Sequence, residues 1–106
     1  MKPVKVAAIQ MACTSDKTRN IETAEKLVKE AASQDARIIL LQELFETLYF
    51  CQEEKSEHFK LATELEKNEA VNSLSKLAKE LNVVLPVSFF EKMNQARFNS
   101  VAVIDA

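Results

Sequence analysis

The sequence predicts an α/β domain with the element order β-α-β-α-β-β, about four strands and two main helices. Residues 4–11 and 36–42 are apolar runs without clear alternation, which is typical of strands covered on both faces. Between and after these runs, apolar residues recur at three- and four-residue spacing, as on helices that pack against a sheet. The chain has 106 residues, of which 47% are hydrophobic and 28% charged. The length allows one domain at most, and the composition is typical of a globular protein.

The first half predicts a β-α-β unit. Residues 4–11 form strand one, and a helix follows from about residue 17 to residue 33, with Asp16 or Asn20 as its N-cap. Strand two covers residues 36–42, so the two strands are parallel and the crossover is right-handed. The helix positions predicted to face the sheet are Ile21, Ala24, Leu27, Val28, Ala31 and Ala32.

The second half predicts a helix and a hairpin after a long excursion. The excursion runs from residue 43 to about residue 68 and includes a short helical stretch near residues 57–65. The following helix ends at Asn82, a residue that tolerates the left-handed conformation. Strand three covers residues 83–90, and Pro86 within it predicts a local interruption of pairing or a sheet edge. After a turn at 94–95, residues 97–105 return as antiparallel strand four. The helix positions predicted to share one face are Val71, Leu74, Leu77, Ala78 and Leu81.

Composition excludes several classes of function. The net charge of −2 and the interleaving of acidic and basic residues give no electrostatic case for nucleic-acid binding. No apolar run approaches the length of a membrane span. Two cysteines without motif spacing indicate a reducing cytoplasm, and a single histidine offers no metal-ligand pattern.

The chain contains no glycine, although about seven are expected at average usage. Glycine normally supplies the positive-φ positions at helix ends and in tight turns. We expect Asp35, Thr47 and Asn82 to occupy such positions, since Asn and Asp are the best substitutes. Drift or deliberate redesign could each produce such a composition.

Glu43 is the main candidate for chemistry. It stands at the end of predicted strand two, and ligands of α/β sheets bind where strands end at their carboxyl edge. A carboxylate in a shielded cleft at that edge is suited to proton transfer. The alternative is a glutamate that reaches solvent or caps a neighbouring helix.

Local nucleophiles are weak candidates. Cys51 and His58 lie seven residues apart in the excursion, but a Cys–His dyad needs hydrogen-bond reach and a third group to orient the histidine. Cys51 is better explained as a small buried residue and His58 as a solvated side chain on a charged helix. Cys13, in the loop after strand one, is likewise more typical of packing than of chemistry.

Four stretches resemble one known family. Residues 39–46 (ILLQELFE), the opening 6–11 (VAAIQM), and the pair 85–91 (LPVSFFE) and 98–105 (FNSVAVID) resemble the nitrilase superfamily of carbon–nitrogen hydrolases. Residues 44–52 are most similar to its N-carbamoylputrescine amidase branch. The resemblance covers essentially the whole chain, with the stretches in the family's order and spacing.

The resemblance implies the N-terminal portion of the nitrilase α-β-β-α sandwich, residues 1–106 being a single incomplete carbon–nitrogen hydrolase domain. It implies a cysteine amidase with a Glu-Lys-Cys triad and no cofactor. In that triad Glu43 matches the general base, a lysine steadies the oxyanion, and a cysteine forms a thioester with the substrate carbonyl. The family's lysine follows the fourth strand and its cysteine comes much later, so neither has a matching position here. We therefore expect the chain alone to be inactive.

The resemblance also suggests a substrate pocket beside Glu43. Phe45, Tyr49 and Phe50 could wall a small-molecule pocket, or could close the end of the sandwich as ordinary core. Glu46 could select an amine-bearing substrate such as a carbamoylated diamine, although a surface charge is the simpler interpretation. Asn99 could orient the active-site loop, or could simply end a turn.

Two functional hypotheses follow. The chain is either the N-terminal part of an amidase acting on a small amide or carbamoyl amine, or a non-catalytic α/β scaffold, truncated or engineered, that self-associates. The absence of glycine and the end at Ala106 favour the scaffold, while the residues around Glu43 favour the amidase. Two helices can cover only one face of the sheet, so we expect a homo-oligomer, in its simplest form a two-fold dimer. The uncovered apolar residues would lie in 6–9, 38–41, 83–87 and 101–104.

Overall fold

The computed structural model describes residues 3–47 and 61–105. A 3₁₀ turn at Leu65–Lys67 precedes the second helix. The predicted order β-α-β-α-β-β is confirmed. In chain order the elements are β1 (Val6–Ala8), α1 (Lys17–Ser33), β2 (Ile38–Leu40), α2 (Glu69–Leu81), β3 (Leu85–Met93) and β4 (Ala96–Ile104).

The four strands form one layer in the spatial order β1-β2-β3-β4. β1 runs parallel to β2 with Val6 opposite Ile38, and β3 pairs antiparallel with β4 along its whole length. A parallel bridge between Ile38 and Val84 joins the two pairs, and the N–H of Ile39 donates to the carbonyl of Val84 at 3.0 Å. The predicted parallel unit and the predicted hairpin are therefore both present.

The first two strands are shorter than predicted. Regular pairing is confined to three residues in each, although single backbone bonds extend it. The N–H of Arg37 donates to the Lys5 carbonyl and that of Ile9 to the Leu40 carbonyl. Among the described residues, β2 pairs with the chain entering β3 only through the bridge at Val84, two residues before Pro86, while β4 pairs through the proline. The predicted interruption therefore falls on the β2 side only.

α1 spans the predicted residues, and α2 ends at Asn82 as predicted. The Asp16 side chain caps α1 by accepting from the Arg19 N–H, and the Asn68 side chain caps α2 by accepting from the Val71 N–H at 2.8 Å. α2 ends at Asn82, whose φ of 55° is left-handed. Since side-chain caps replace missing backbone partners, each helix start is fixed locally.

The helices cover one face of the sheet and leave the other open. The helix-covered face carries Ile39, Leu85, Val87 and Phe89, which are buried against apolar residues of α1 and α2 such as Val28 and Leu74. Alternate residues on the same strands form what we call the open face: Val6, Ala8, Ile38, Leu40, Pro86, Val101 and Val103. Its large aliphatic side chains are 39–69% exposed. No helix within the described ranges has the length and apolar character needed to cross a membrane.

Candidate active site

Glu43 lies just beyond β2, in the turn formed by residues 43–46. Its Oε1 accepts a hydrogen bond from Asn99 Nδ2 on β4. The side chain is exposed at the edge of the open face, so the predicted shielded cleft is absent from the part of the chain that the structure describes. The physical reason is that helices cover only the opposite face of this sheet, and the described residues place no layer over Glu43.

A buried serine connects the Glu43 turn to Asn99. The N–H of Leu44 donates to Ser88 Oγ at 3.0 Å, and Ser88 Oγ lies 3.4 Å from Asn99 Oδ1. Leu44 has a φ of 49°, a conformation that costs a non-glycine residue about 1–2 kcal/mol. Such strain persists only where the surroundings hold it, and the bond to Ser88 supplies part of that restraint.

An open groove of about 420 Å³ lies beside this cluster. Its walls combine polar groups at one end with apolar strand residues at the other, an arrangement typical of small-molecule sites. The groove lies on the open face, on the side of the sheet away from both helices. It is lined by Leu40, Leu41, Gln42, Glu43, Pro86, Ser88, Asn99 and Val101.

Asn20, on α1, holds the far end of the same turn. Its Nδ2 donates to the backbone carbonyls of Thr14 and Glu46, both at 2.7 Å. Its Oδ1 accepts from the Thr14 N–H at 2.8 Å and from the Thr14 hydroxyl at 2.9 Å. The amide is almost fully buried, and all its hydrogen-bonding groups are used. It therefore ties the loop after β1 to the turn that carries Glu43.

The interpretation of Glu46 as a surface charge is wrong. The residue is buried, because residues 43–46 fold back toward α1 instead of continuing into solvent. Glu46 Oε2 lies 3.3 Å from Lys17 Nζ, while Oε1 is buried and has no hydrogen-bond partner among the described residues. One oxygen of this carboxylate is therefore already paired with a partly exposed lysine.

Phe45 is fully buried within the hydrophobic core, which matches the core alternative and places it away from the groove. Tyr49 and Phe50, the other two proposed wall residues, lie outside the described residues, as do Cys51 and His58.

Cys13 packs against the core as a free thiol. Burial raises the pKa of the Cys13 thiol, and the hydrogen bond from Gln42 Nε2 lowers it to a smaller extent. A raised pKa disfavours the thiolate that a nucleophile needs. In residues 3–47 and 61–105, no group of three or more His, Cys, Asp or Glu side chains could hold a metal ion.

The arrangement presents an oriented carboxylate to an open groove, which is what a general base requires. Sequence reasoning identified Glu43 and Asn99 but missed Ser88 and Asn20. Ser88 could have been found as a polar residue in an otherwise apolar strand, at a position that alternation places beside Pro86 and Phe90. Asn20 could have been found as a polar residue next to the apolar stripe of α1.

Comparison with known proteins places the chain among carbon–nitrogen hydrolases. The family model described as carbon-nitrogen hydrolase matches residues 5–106. An N-carbamoylputrescine amidase of Oryza sativa subsp. japonica is 52% identical over 103 residues, which are 97% of this chain and 34% of that protein. A citrullinase of Francisella tularensis is 39% identical over 106 residues, which are 100% of this chain and 37% of that protein.

A solved structure supports the same family assignment. The carbon-nitrogen hydrolase from Helicobacter pylori G27 superimposes with a TM-score of 0.80 at 31% identity, over 94% of this chain and 35% of its own. The chain thus spans about a third of the length of the relatives that it matches.

Proposed function

Because this chain belongs to the carbon–nitrogen hydrolase family, we propose that it is the N-terminal part of an amidase that hydrolyses a non-peptide C–N bond. The observation that carries the proposal is the position of Glu43, a carboxylate held by Asn99 at the end of β2 beside an open groove. The proposed substrate is an N-carbamoyl amine of the N-carbamoylputrescine type. Relatives bearing that enzyme name are about half identical to this chain, and the substrate rests on them and not on Glu46.

In this proposal Glu43 is the general base. A thiol with a pKa of about 8.5 is mostly protonated at neutral pH, so a nucleophilic cysteine needs a neighbouring base. Glu43 accepts the thiol proton as sulfur bonds to the substrate carbonyl carbon, and returns a proton to the departing amine. The cysteine and the oxyanion-stabilising lysine belong to the sequence that relatives carry beyond this first third. The proposed setting is the reducing cytoplasm, which rests on two cysteines without motif spacing.

A chimera tests this proposal. We expect the chain joined to the remaining two thirds of the Oryza sativa relative to release ammonia from N-carbamoylputrescine. Glu43→Gln should reduce kcat/KM at least about 100-fold, as loss of a general base does, while the control Glu22→Gln on the surface of α1 retains activity. A folded chimera without activity, or an active Glu43→Gln variant, would contradict the proposal. The 106-residue chain alone should release no ammonia.

The open face favours a second candidate, a non-catalytic scaffold that self-associates. The open face carries five large aliphatic residues that are 39–69% exposed: Val6, Ile38, Leu40, Val101 and Val103. Together they form an apolar patch of about 500 Å², which is near the upper limit for soluble monomers. Two such patches, stacked face to face around a two-fold axis, bury about 1,000 Å², the minimum for a specific interface. Aligned packing of two sheets is a common architecture.

Sedimentation of the 106-residue chain tests the second candidate. We expect a dimer at tens of micromolar that Val101→Lys, on the β4 part of the open face, converts to monomer. Met93→Lys is the matched control, because Met93 is 55% exposed but lies near the hairpin turn, outside the open face. A monomeric wild-type chain that binds no hydrophobic dye would exclude this candidate.

A further inference from the structure

Three hydrogen bonds join the backbone of the Glu43 turn to the Glu43 carboxylate through β3 and β4. The N–H of Leu44 donates to Ser88 Oγ at 3.0 Å. Ser88 Oγ is 3.4 Å from Asn99 Oδ1, and Asn99 Nδ2 donates to Glu43 Oε1. The series therefore begins and ends on adjacent residues of one turn.

The direction of these bonds is fixed by what each group can donate. A serine hydroxyl has one proton and two acceptor lone pairs. Since the Leu44 N–H occupies a lone pair of Ser88, the hydroxyl proton is free to point at Asn99 Oδ1. The Asn99 amide is then held by its oxygen, so its nitrogen faces Glu43 as a donor. An asparagine turned the other way would place its oxygen against the carboxylate.

Ser88 is the residue best placed to hold this arrangement. Ser88 is opposite Val101 in the β3–β4 register, so its side chain lies on the open-face side of β3. Ser88 is only 6% exposed. Glu43 and Asn99 are exposed and can rotate in water unless a neighbour restrains them. The strand that carries Ser88 is paired along its whole length with β4, so the serine is a rigid reference point for both.

We propose that Ser88 is a positioning residue for Glu43, which it orients through the Asn99 amide while restraining the left-handed Leu44. The catalytic meaning of this role rests on the proposed amidase function. The geometry itself is a property of the 106-residue chain, so it can be tested without activity.

The test is NMR of the isotope-labelled 106-residue chain, following the Asn99 side-chain amide and the Leu44 backbone amide. A charge-assisted bond to a carboxylate is shorter and stronger than a neutral one, so in the wild type the Asn99 proton facing Glu43 should resonate downfield of its value in Glu43→Gln. We expect Ser88→Ala to remove this downfield shift and to speed exchange of the Leu44 amide at least 10-fold. Ser88→Thr, which retains a hydroxyl, should restore both.

Ser100→Ala is the control, because Ser100 is a second serine of the hairpin, partly buried, whose hydroxyl donates to Glu91 Oε1 at 2.8 Å. It should leave both signals unchanged. If Ser88→Ala leaves the Asn99 signal downfield, the serine does not position Glu43, even if Leu44 exchange accelerates. If Ser88→Ala does not fold, Ser88→Cys replaces it, since a thiol is a weaker donor and should give an intermediate Asn99 shift. An inactive chimera with these NMR results intact would refute the amidase and not the role of Ser88.

Discussion

Both faces of the sheet carry large aliphatic residues, but their environments are opposite. Ile39 and Leu85 on the helix-covered face are fully buried, whereas Ile38 and Leu40, which flank Ile39 in sequence, are 39% and 52% exposed. Surface strands normally alternate apolar and polar residues, and these do not. The sequence therefore encodes burial of both faces, while the described residues supply helices for only one. The Glu43 groove lies on the incomplete side, so a second layer there would also determine how closed the site is.

The largest expected effect is the difference between matched leucines on the two faces. Leu85→Ala should reduce the free energy of unfolding by about 2–5 kcal/mol, because it leaves a cavity in a packed core. Leu40→Ala should cost less than about 1 kcal/mol, because a half-exposed side chain loses few contacts. Urea denaturation at low micromolar protein measures both. Equal costs at that concentration would mean that the open face is already covered.

Much of the structure on the helix-covered side could be predicted from the sequence, because its features depend on residues that are close together in the chain. The start of α1 at Lys17, the end of α2 before Asn82 and the hairpin followed from caps, turn residues and apolar spacing. Asp35 and Asn82 occupy left-handed positions as expected. Leu44 and Asn94 also do, while Thr47 is not among the positive-φ residues. Leu44 was missed because no local rule predicts a bulky aliphatic residue there. Its conformation is restrained in part by the tertiary bond to Ser88.

The site was predicted less completely, because its geometry depends on contacts distant in sequence. Glu43 could be chosen by its position after a strand and by family resemblance. The burial of Glu46 and its pairing with Lys17 could not, since they depend on how residues 43–46 turn back toward α1. Ser88 meets Leu44 across 44 positions of sequence, a separation that neither periodicity nor a local motif reports.

The second-largest effect is expected at Asn20, whose side chain joins the loop after β1 to the Glu43 turn. Asn20→Ala should lower the free energy of unfolding by about 2–3 kcal/mol, because it leaves the Glu46 carbonyl, which is buried, and two partly buried backbone groups of Thr14 without partners. Asn72→Ala is the control. It removes an exposed side-chain bond to the Glu66 carbonyl and should cost under about 1 kcal/mol. Calorimetric unfolding of the two variants gives the comparison, and similar costs would show that the Asn20 bonds do not stabilise the turn.

A smaller, pH-dependent effect is expected at Cys13, which packs on the covered core. Burial raises the pKa of this thiol in the folded state, so the native protein holds the proton more tightly than the unfolded chain. The resulting stability is fully present below the unfolded thiol's pKa of about 8.5 and is lost as the pH rises through the folded value. The difference in unfolding free energy between wild type and Cys13→Ala should therefore shift against wild type from pH 8 to pH 10.5. A difference independent of pH would show that the thiol is as well solvated as in the unfolded chain.

The smallest effect is expected at Asn82, in the connection between α2 and β3, where a substitution alters neither face of the sheet. Asn82 holds a left-handed φ of 55° at the end of α2, and glycine adopts that conformation without a Cβ penalty. Asn82→Gly should therefore raise the free energy of unfolding by at most about 1 kcal/mol. Gln34→Gly is the control, since Gln34 ends α1 at a φ of −96° and glycine there adds only freedom to the unfolded chain. We expect the first substitution to raise the Tm, the second to leave it unchanged or lower it, and neither to alter sedimentation, because the open face is untouched. A lower Tm for Asn82→Gly would mean that the asparagine side chain stabilises this helix end by more than its left-handed backbone costs.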